Sequence, residues 1–212
     1  MARRSKDEAE ETRENIVTAA IKLFLRDGVS QTTLEKIAVE AGYTRGAVYH
    51  HFENKTELLL ELMRRAHPPA QEMFDNLSAP EKSEDPLSDL ERVIARALKQ
   101  MLSDRASRDI HTIFIFNCEF VEKRNPVFEP ECRYARDGLD KTAEYLENAK
   151  RLGQVAPDLD VKETAAAIVA LCSGIITLSL RGTLHETPSI NVERALRILF
   201  TGLRAEAACK KA

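Results

Sequence analysis

Residues Tyr43 to Lys55 read YTRGAVYHHFENK. The stretch puts an arginine, a tyrosine and two histidines on one short segment, and sets a glycine beside the arginine. Directly before it stands TTLEKIAVEAG, Thr32 to Gly42. There Thr32 and Glu35 fit a capping box, Leu34, Ile37 and Ala38 face inward, and Gly42 ends the helix after barely two turns. Thr44 can cap a second short helix running to about His51. Two short helices separated by GYT form a helix-turn-helix. On the second, Arg45, Gly46, Tyr49 and His50 fall at i, i+1, i+4 and i+5 and share one face, while Ala47, Val48 and Phe52 take the other and pack inward.

The rest of the chain reads as helix on both sides of this motif. From Glu8 to Asp27, apolar residues recur at Ile16, Val17, Ala20, Ile21, Phe24 and Leu25, and Gly28 is a natural stop. Downstream, NKTE (Asn54–Glu57) opens a longer helix with Leu58, Leu59, Leu62 and Met63. APEKSEDPLS (Ala79–Ser88) is the clearest loop. Ser88 and Glu91 open a helix through Leu102, Ser103 or Asp104 starts one reaching Val121, and Asn125-Pro126 starts one to about Leu152. Asp160 and Glu163 begin an apolar helix, broken from Arg181 to Ser189, and NVERALRILFTGLRAEA closes the chain. Neither a strand pattern nor an internal repeat is present. The expected fold is all-α: three short helices and about six longer ones, divided as a head at 1–54 and a helical bundle at 55–212.

Composition narrows the function. The chain has 212 residues and a formal net charge of −3, which argues against a general nucleic-acid coat but leaves room for a local basic footprint. Residues 1–66 are balanced, with eleven Lys/Arg and eleven Asp/Glu, and the remainder carries the deficit. The charged opening MARRSKDEAEETRENI excludes a secretory signal. Cys118, Cys132, Cys172 and Cys209 stand far apart, without a zinc pattern or a disulfide framework, so a reducing, cytoplasmic setting is expected. The segment Thr164 to Leu180 is uncharged but slightly short for a membrane span. It reads better as a helix buried on nearly all sides, in a core or a subunit contact, and no membrane partner is expected. Nucleophile elbows, zinc-protease motifs, phosphate loops and dinucleotide fingerprints are all missing, so no enzyme, no cofactor and no metal is expected. Asp158 and Asp160 are accounted for by turns and caps.

The exposed face of the second short helix has the chemistry of a duplex reader. Arg45 can donate two hydrogen bonds to guanine N7 and O6, worth about 1–3 kcal/mol of discrimination. Gly46 lets the backbone come close, because a Cβ there would hold the helix away. Tyr49 and His50 can reach a phosphate or a thymine methyl, Lys55 can meet a phosphate as a point charge, and Thr33 and Thr44 present hydroxyls and helix N-termini to phosphates. Such a helix can also be an ordinary solvated face, and spacing alone leaves both readings open.

The longer run ETRENIVTAAIKLFLRDGVSQTTLEKIAVEAGYTRGAVYHHFENKTELL closely resembles the DNA-binding domain of the TetR/AcrR family of bacterial repressors. It shares the T-R-x-x-I opening, the F-x-x-x-G stop, T-T-L-x-x-I-A-x-x-A-G and T-R-G-A-V-Y-x-H-F-x-N-K, over about 50 residues. The opening MARRSKDEAEETR and the segment around Cys118-Glu119-Phe120 are similar to the branch that represses multidrug efflux pumps. The resemblance implies contacts to double-stranded DNA from Thr33, Thr44, Arg45, Gly46, Tyr49, His50, His51 and Lys55. Position 50 is commonly tryptophan in that branch, and His50 puts the base preference there in doubt. For His51, a role in holding the helix against the core stands beside the phosphate contact.

The same resemblance implies a repressor released from a palindromic operator by a small hydrophobic inducer. It also implies a homodimer built on the last two long helices. Matching positions imply a ligand pocket at His67, Val93, Ala97, His111, Ile115, Ala135, Gly138, Thr142, Val169, Cys172 and Ser173, mostly small or apolar with a few polar groups. A helical bundle needs such residues inside whether or not it binds anything. A DNA-binding regulator without an inducer, controlled by a protein, by thiol oxidation or acting architecturally, is the alternative.

Overall fold

A computed structural model of the chain describes residues 2–66, 82–118, 128–181 and 190–209. Nine α-helices and one π turn make up the described structure, and no strand occurs among those residues, in agreement with the all-α expectation. The helices are α1 (Ala2–Asp27), α2 (Leu34–Ala41), α3 (Arg45–His51), α4 (Lys55–Ala66), α5 (Pro86–Ser103), α6 (Arg105–Thr112), α7 (Phe128–Arg151), α8 (Val161–Arg181) and α9 (Val192–Cys209). The π turn, Ile113–Asn117, continues α6. Two compact units are present: Met1–Ala66 with Arg105–Glu131, and His67–Asp104 with Cys132–Ala212.

The first unit has one apolar core. Ile16, Val17, Ala20, Leu23 and Phe24 of α1 meet Leu34 and Ile37 of α2, Val48 of α3, Phe52 just beyond it, and Leu58, Leu59 and Leu62 of α4. Ile110 of α6 and Ile113 and Phe114 of the π turn complete it, which is why a segment 40 or more residues downstream packs with the N-terminal helices. Each large side chain fully buried here contributes about 1.5–3 kcal/mol, so the two-turn helices are held by packing rather than by their own propensity.

Local signals set the helix ends, with two adjustments. Thr44 caps α3 as expected, its hydroxyl accepting from Ala47 N–H at 3.2 Å. Asn54 accepts from Glu57 N–H at 2.9 Å, and Glu57 returns the bond to Glu53 N–H at 2.8 Å. Asp160 caps α8 through Glu163 N–H. At α2, however, the cap is Thr33, accepting from Lys36 N–H at 3.3 Å, and not Thr32. Either threonine of the pair has cap chemistry. Thr32 is fully buried instead, and its hydroxyl donates to the Gly28 carbonyl at 2.8 Å. At α5 the cap is Asp85, with Pro86 in the first turn, three residues before the expected Ser88. That earlier start carries Leu87 and Leu90 into the core. The expected helix to Val121 changes register at Ile113 and is described only to Asn117, followed by an extended Cys118. His67 and the Asn125-Pro126 start lie outside the described residues.

The second unit packs α5 against α8 and α9. Leu87, Leu90, Ile94 and Leu98 meet Tyr145 and Leu146 of α7, Ile168 and Ile175 of α8, and Leu196 and Phe200 of α9. Arg204 ties α9 to α5, donating to Glu91 and to the Ser88 hydroxyl, both at 3.0 Å. Helix α8 is long and apolar enough to cross a membrane by length and composition. Only Val161, Ala165, Ile168 and Ile175 of it are buried. Ala166, Ala167, Ala170, Ser173 and Leu178 are exposed, so the chain's own core accounts for one stripe and not for burial on nearly all sides.

Candidate nucleic-acid interface

The turn between α2 and α3 is built by the backbone. Gly42 has φ +75°, a conformation costly for residues with a Cβ, and the next amide, Tyr43 N–H, returns to the Ala38 carbonyl at 2.9 Å. Asn15 of α1 donates to the Tyr43 hydroxyl at 3.0 Å and so anchors the turn. Helix α3 is then fixed by its inner face, since Val48 is 0% and Phe52 1% exposed. Its outer face is open: Arg45, Gly46, Tyr49 and His50 are all exposed.

Those outer residues form an ordered group. The Arg45 guanidinium carbon lies 5.1 Å from the Tyr49 ring centroid, and Glu35 of α2 accepts from both, at 3.1 Å from Arg45 and 3.4 Å from the Tyr49 hydroxyl. Hydrogen bonds from its own backbone N–H and from Thr33, with Arg45 nearby, hold the Glu35 carboxyl below its ordinary range. Sequence reasoning missed Glu35, because only the turn brings a residue ten positions upstream beside Arg45. A Cβ built on Gly46 would meet only the Thr44 hydroxyl, at 4.0 Å. The protein's own packing therefore does not require glycine at this position, and the missing side chain matters only to something outside.

The other expected contact residues divide. Thr33 and Thr44 are exposed at the two helix N-termini with their hydroxyls engaged as caps. His50 is exposed and His51 half-buried, their rings edge-on at 5.4 Å. Burial, with His50 and Arg13 close by, pushes the His51 imidazole down from its ordinary value and so favours its neutral form. Lys55 turns inward. Its ammonium donates to the Val29 carbonyl at 2.6 Å and the Thr32 carbonyl at 3.0 Å, and burial lowers its pKa. The geometry makes Lys55 a staple between the start of α4 and the α1–α2 turn before anything else.

Beneath the head lies an ionic network with no sequence signature beyond charge. Arg13 of α1 bonds Glu61 of α4 at 2.9 Å and lies 5.0 Å from the Phe52 ring centroid. Arg65 bridges Glu61 at 2.9 Å and Glu14 at 2.7 Å. Arg13 above all, with Arg65, brings the Glu61 carboxyl down to about 2.

Residues 16–62 match the model of the bacterial regulatory proteins of the tetR family, and residues 85–195 match that of the C-terminal region of MAATS-type transcriptional repressors. The chain belongs to the TetR family. This TetR-family protein is a DNA-binding transcriptional repressor. It is 36% identical over 83% of both chains to the probable transcriptional regulator ArpR of Pseudomonas putida. It is 34% identical to the repressor BepR of Brucella suis, covering 97% of this chain and 98% of that one. Its structure is similar to that of NalD, the secondary repressor of the MexAB-OprM multidrug efflux pump in Pseudomonas aeruginosa. There the TM-score is 0.81 at 31% identity, over 93% of this chain and 98% of NalD. It is also similar to SmeT in its triclosan complex, with a TM-score of 0.72 at 31% identity over 92% and 90% of the two chains.

The positions expected to line a ligand pocket in this repressor are distributed over both units. In the first, His111 is half-buried on α6, its Nδ1 2.8 Å from the Ser107 carbonyl, and Ile115 of the π turn is exposed. In the second, Val93 and Thr142 are buried, and Ala97, Gly138, Val169 and Cys172 are half-buried, while Ala135 and Ser173 are exposed. The Thr142 hydroxyl donates to the Gly138 carbonyl at 2.8 Å. Burial pushes the Cys172 thiol up to about 11, which keeps it protonated and unreactive. An open groove of about 730 Å³ between α5 and α9 contains none of these positions. Arg92, Arg96, Lys99, Glu91, Glu193 and Arg197 lie along it.

Proposed function

We propose that this repressor binds a palindromic operator as a homodimer, controls a multidrug efflux pump and is released from DNA by a small hydrophobic ligand. The observation that carries the DNA reading is the outer face of α3, where Arg45 and Tyr49 are stacked and open beside a glycine that packing does not demand. In this reading Thr33, Thr44, Arg45, Gly46, Tyr49, His50 and His51 meet the duplex, and Lys55 supports them. The head is residues 1–54, with ligand binding and dimerisation in 55–212.

One short helix touches few base pairs, so affinity and register come from two copies on half-sites a helical turn or more apart. The unburied face of α8 supports the dimer, together with Ile198 of α9, which is 72% exposed. Both are apolar surfaces on long helices, and a second copy would cover them. Efflux control and a drug-like ligand rest on the relatives: NalD represses an efflux pump, and SmeT forms a complex with triclosan. The pocket in this reading is made by His67, Val93, Ala97, His111, Ile115, Ala135, Gly138, Thr142, Val169, Cys172 and Ser173. Because linkage is reciprocal, a ligand that weakens operator binding a hundredfold has about 2.7 kcal/mol of coupling.

The test is selection of duplexes from a randomised pool by the full-length protein, followed by mobility shift of the best duplex with a panel of hydrophobic drugs that includes triclosan. An enriched inverted repeat that is lost with the double variant Arg45→Ala/Tyr49→Ala supports the DNA reading; a pool with no enrichment refutes it. Release by oxidant alone, with none by any drug, would favour thiol control instead.

A further inference from the structure

The α1–α2 turn, which leads into the helix-turn-helix, is gripped from outside by Lys55 on one side and by Asn117 on the other. The Asn117 side-chain amide donates to the carbonyls of Phe24 (3.1 Å) and Leu25 (3.2 Å) in the last turn of α1, and the Phe24 carbonyl also accepts from Gly28 N–H at 3.1 Å. The Asn117 carbonyl accepts from Val29 N–H at 3.0 Å. Val29 in turn offers its own carbonyl to Lys55. Gly28 sits at φ +79°, a conformation that favours glycine, and a Cβ on it would make an ordinary contact with the Asn117 carbonyl oxygen at 3.8 Å.

Asn117 is also the last residue of the π turn. A π turn holds one residue more than an α turn, is rare, and occurs frequently at functional sites. Passing from π to α register would rotate everything beyond it by about 100°. Asn117 would then leave α1, and three hydrogen bonds to the turn would break together. An α register would be a second position for the turn, and Ile113 and Phe114, buried in the same core as Phe24 and Val48, hold the observed one.

We propose that Asn117 is a positioning residue, a latch through which the register of the Ile113–Asn117 turn reaches the reading head. The inference rests on the operator-binding function and deepens it. With the latch closed, the end of α1 and the Gly28–Thr32 turn are fixed, and α2 and α3 stand at one angle to the duplex. With it open, the turn loses its tie to the π turn and keeps Lys55 and its own Thr32–Gly28 and Lys36–Gln31 bonds. A ligand touching Ile115 within the turn, or His111 one turn upstream, acts by favouring one register. Operator DNA favours the other, and each must affect the other by the same factor.

Hydrogen exchange of the full-length protein, with and without the best selected operator, tests the latch. In the wild type, operator should slow exchange over residues 44–51, where it binds, and also severalfold over 113–118, which make no DNA contact. In Asn117→Ala the slowing over 113–118 should vanish while that over 44–51 remains, and operator affinity should fall about tenfold. A variant that merely loosened the fold would quicken both segments without separating them. Should Asn117→Ala fail to fold, Asn117→Ser, which keeps one donor, should retain a reduced remote slowing. Unchanged exchange over 113–118 in the operator-bound wild type overturns the latch. Remote slowing that survives in Asn117→Ala overturns it too. No slowing over 44–51 in the wild type refutes operator binding itself, and the latch with it.

Discussion

Arg45 and Tyr49 stand one helical turn apart with the guanidinium over the phenol ring, 5.1 Å from its centroid, and one carboxylate, Glu35, holds both. In the proposed DNA reading, Arg45 is thus ordered before DNA arrives, which lowers the side-chain entropy lost on binding. In the same reading, Glu35 keeps a negative charge on the surface that faces the phosphates.

Replacing Arg45 with alanine should cost about 1–3 kcal/mol of discrimination at a single base pair of each half-site. Melting temperature should hardly move, since the side chain is exposed. Titrations against the selected operator and its single-base variants will check this. A uniform loss on all sequences would instead make Arg45 a phosphate contact.

Glu35→Gln should separate affinity from specificity. Removing the charge should strengthen binding to random duplex, while the loss of the Arg45 anchor narrows the gap between operator and random DNA. Competition titrations at fixed salt measure both, and an unchanged ratio would contradict the anchoring role.

Gly46→Ala should make the protein more stable and a worse DNA binder. Alanine favours the helix by up to about 1 kcal/mol over glycine, and the added Cβ meets only the Thr44 hydroxyl, at 4.0 Å. The same Cβ would push the helix off the floor of the groove. Urea unfolding and operator titration on one preparation check both signs, and retention of full affinity would show that the backbone does not approach the bases.

Lys55 offers a test of staple against phosphate contact. Lys55→Met should lower stability by about 1–3 kcal/mol, because two buried carbonyls lose a charged donor, and should weaken operator binding without changing its salt dependence. A slope of log affinity on log salt that falls by about one would instead mean that Lys55 neutralises a phosphate.

Glu61 ties the head's stability to acid pH. Its folded-state pKa of about 2 lies below the ordinary 4.5, so the folded form binds fewer protons than the unfolded one between these values. The stabilisation is complete above about pH 5 and is lost as pH falls through 4.5 towards 2. Glu61→Gln should destabilise by about 1–2 kcal/mol at pH 7, less than a fully buried pair because Arg13 and Arg65 are partly exposed, and flatten the loss of melting temperature below pH 5. An acid slope equal to that of the wild type would mean that other carboxylates carry it.

Much of this was legible in the order of residues. The stripe from Ile16 to Leu25, the two short helices split by GYT, the Thr44 and Asp160 caps and the outward set Arg45, Gly46, Tyr49 and His50 all follow from periodicity and capping chemistry. Those signals lie within one or two helical turns, where neighbours in sequence are neighbours in space. The choice of Thr33 over Thr32 as a cap did not follow, because both have the right side chain and only burial of Thr32 against the Gly28 turn separates them.

The sequence alone determined the helix-turn-helix and the face it turns outward, because a 3.6-residue period and a glycine-ended helix leave little freedom. Only the tertiary structure decided that Lys55 points inward, that Glu35 stands against Arg45, and that Asn117 grips the end of α1. Asn117 and Phe24 are 93 residues apart. Which distant polar groups meet depends on how the helices pack to bury their apolar faces, and the residues that then share a buried corner must satisfy each other's hydrogen bonds.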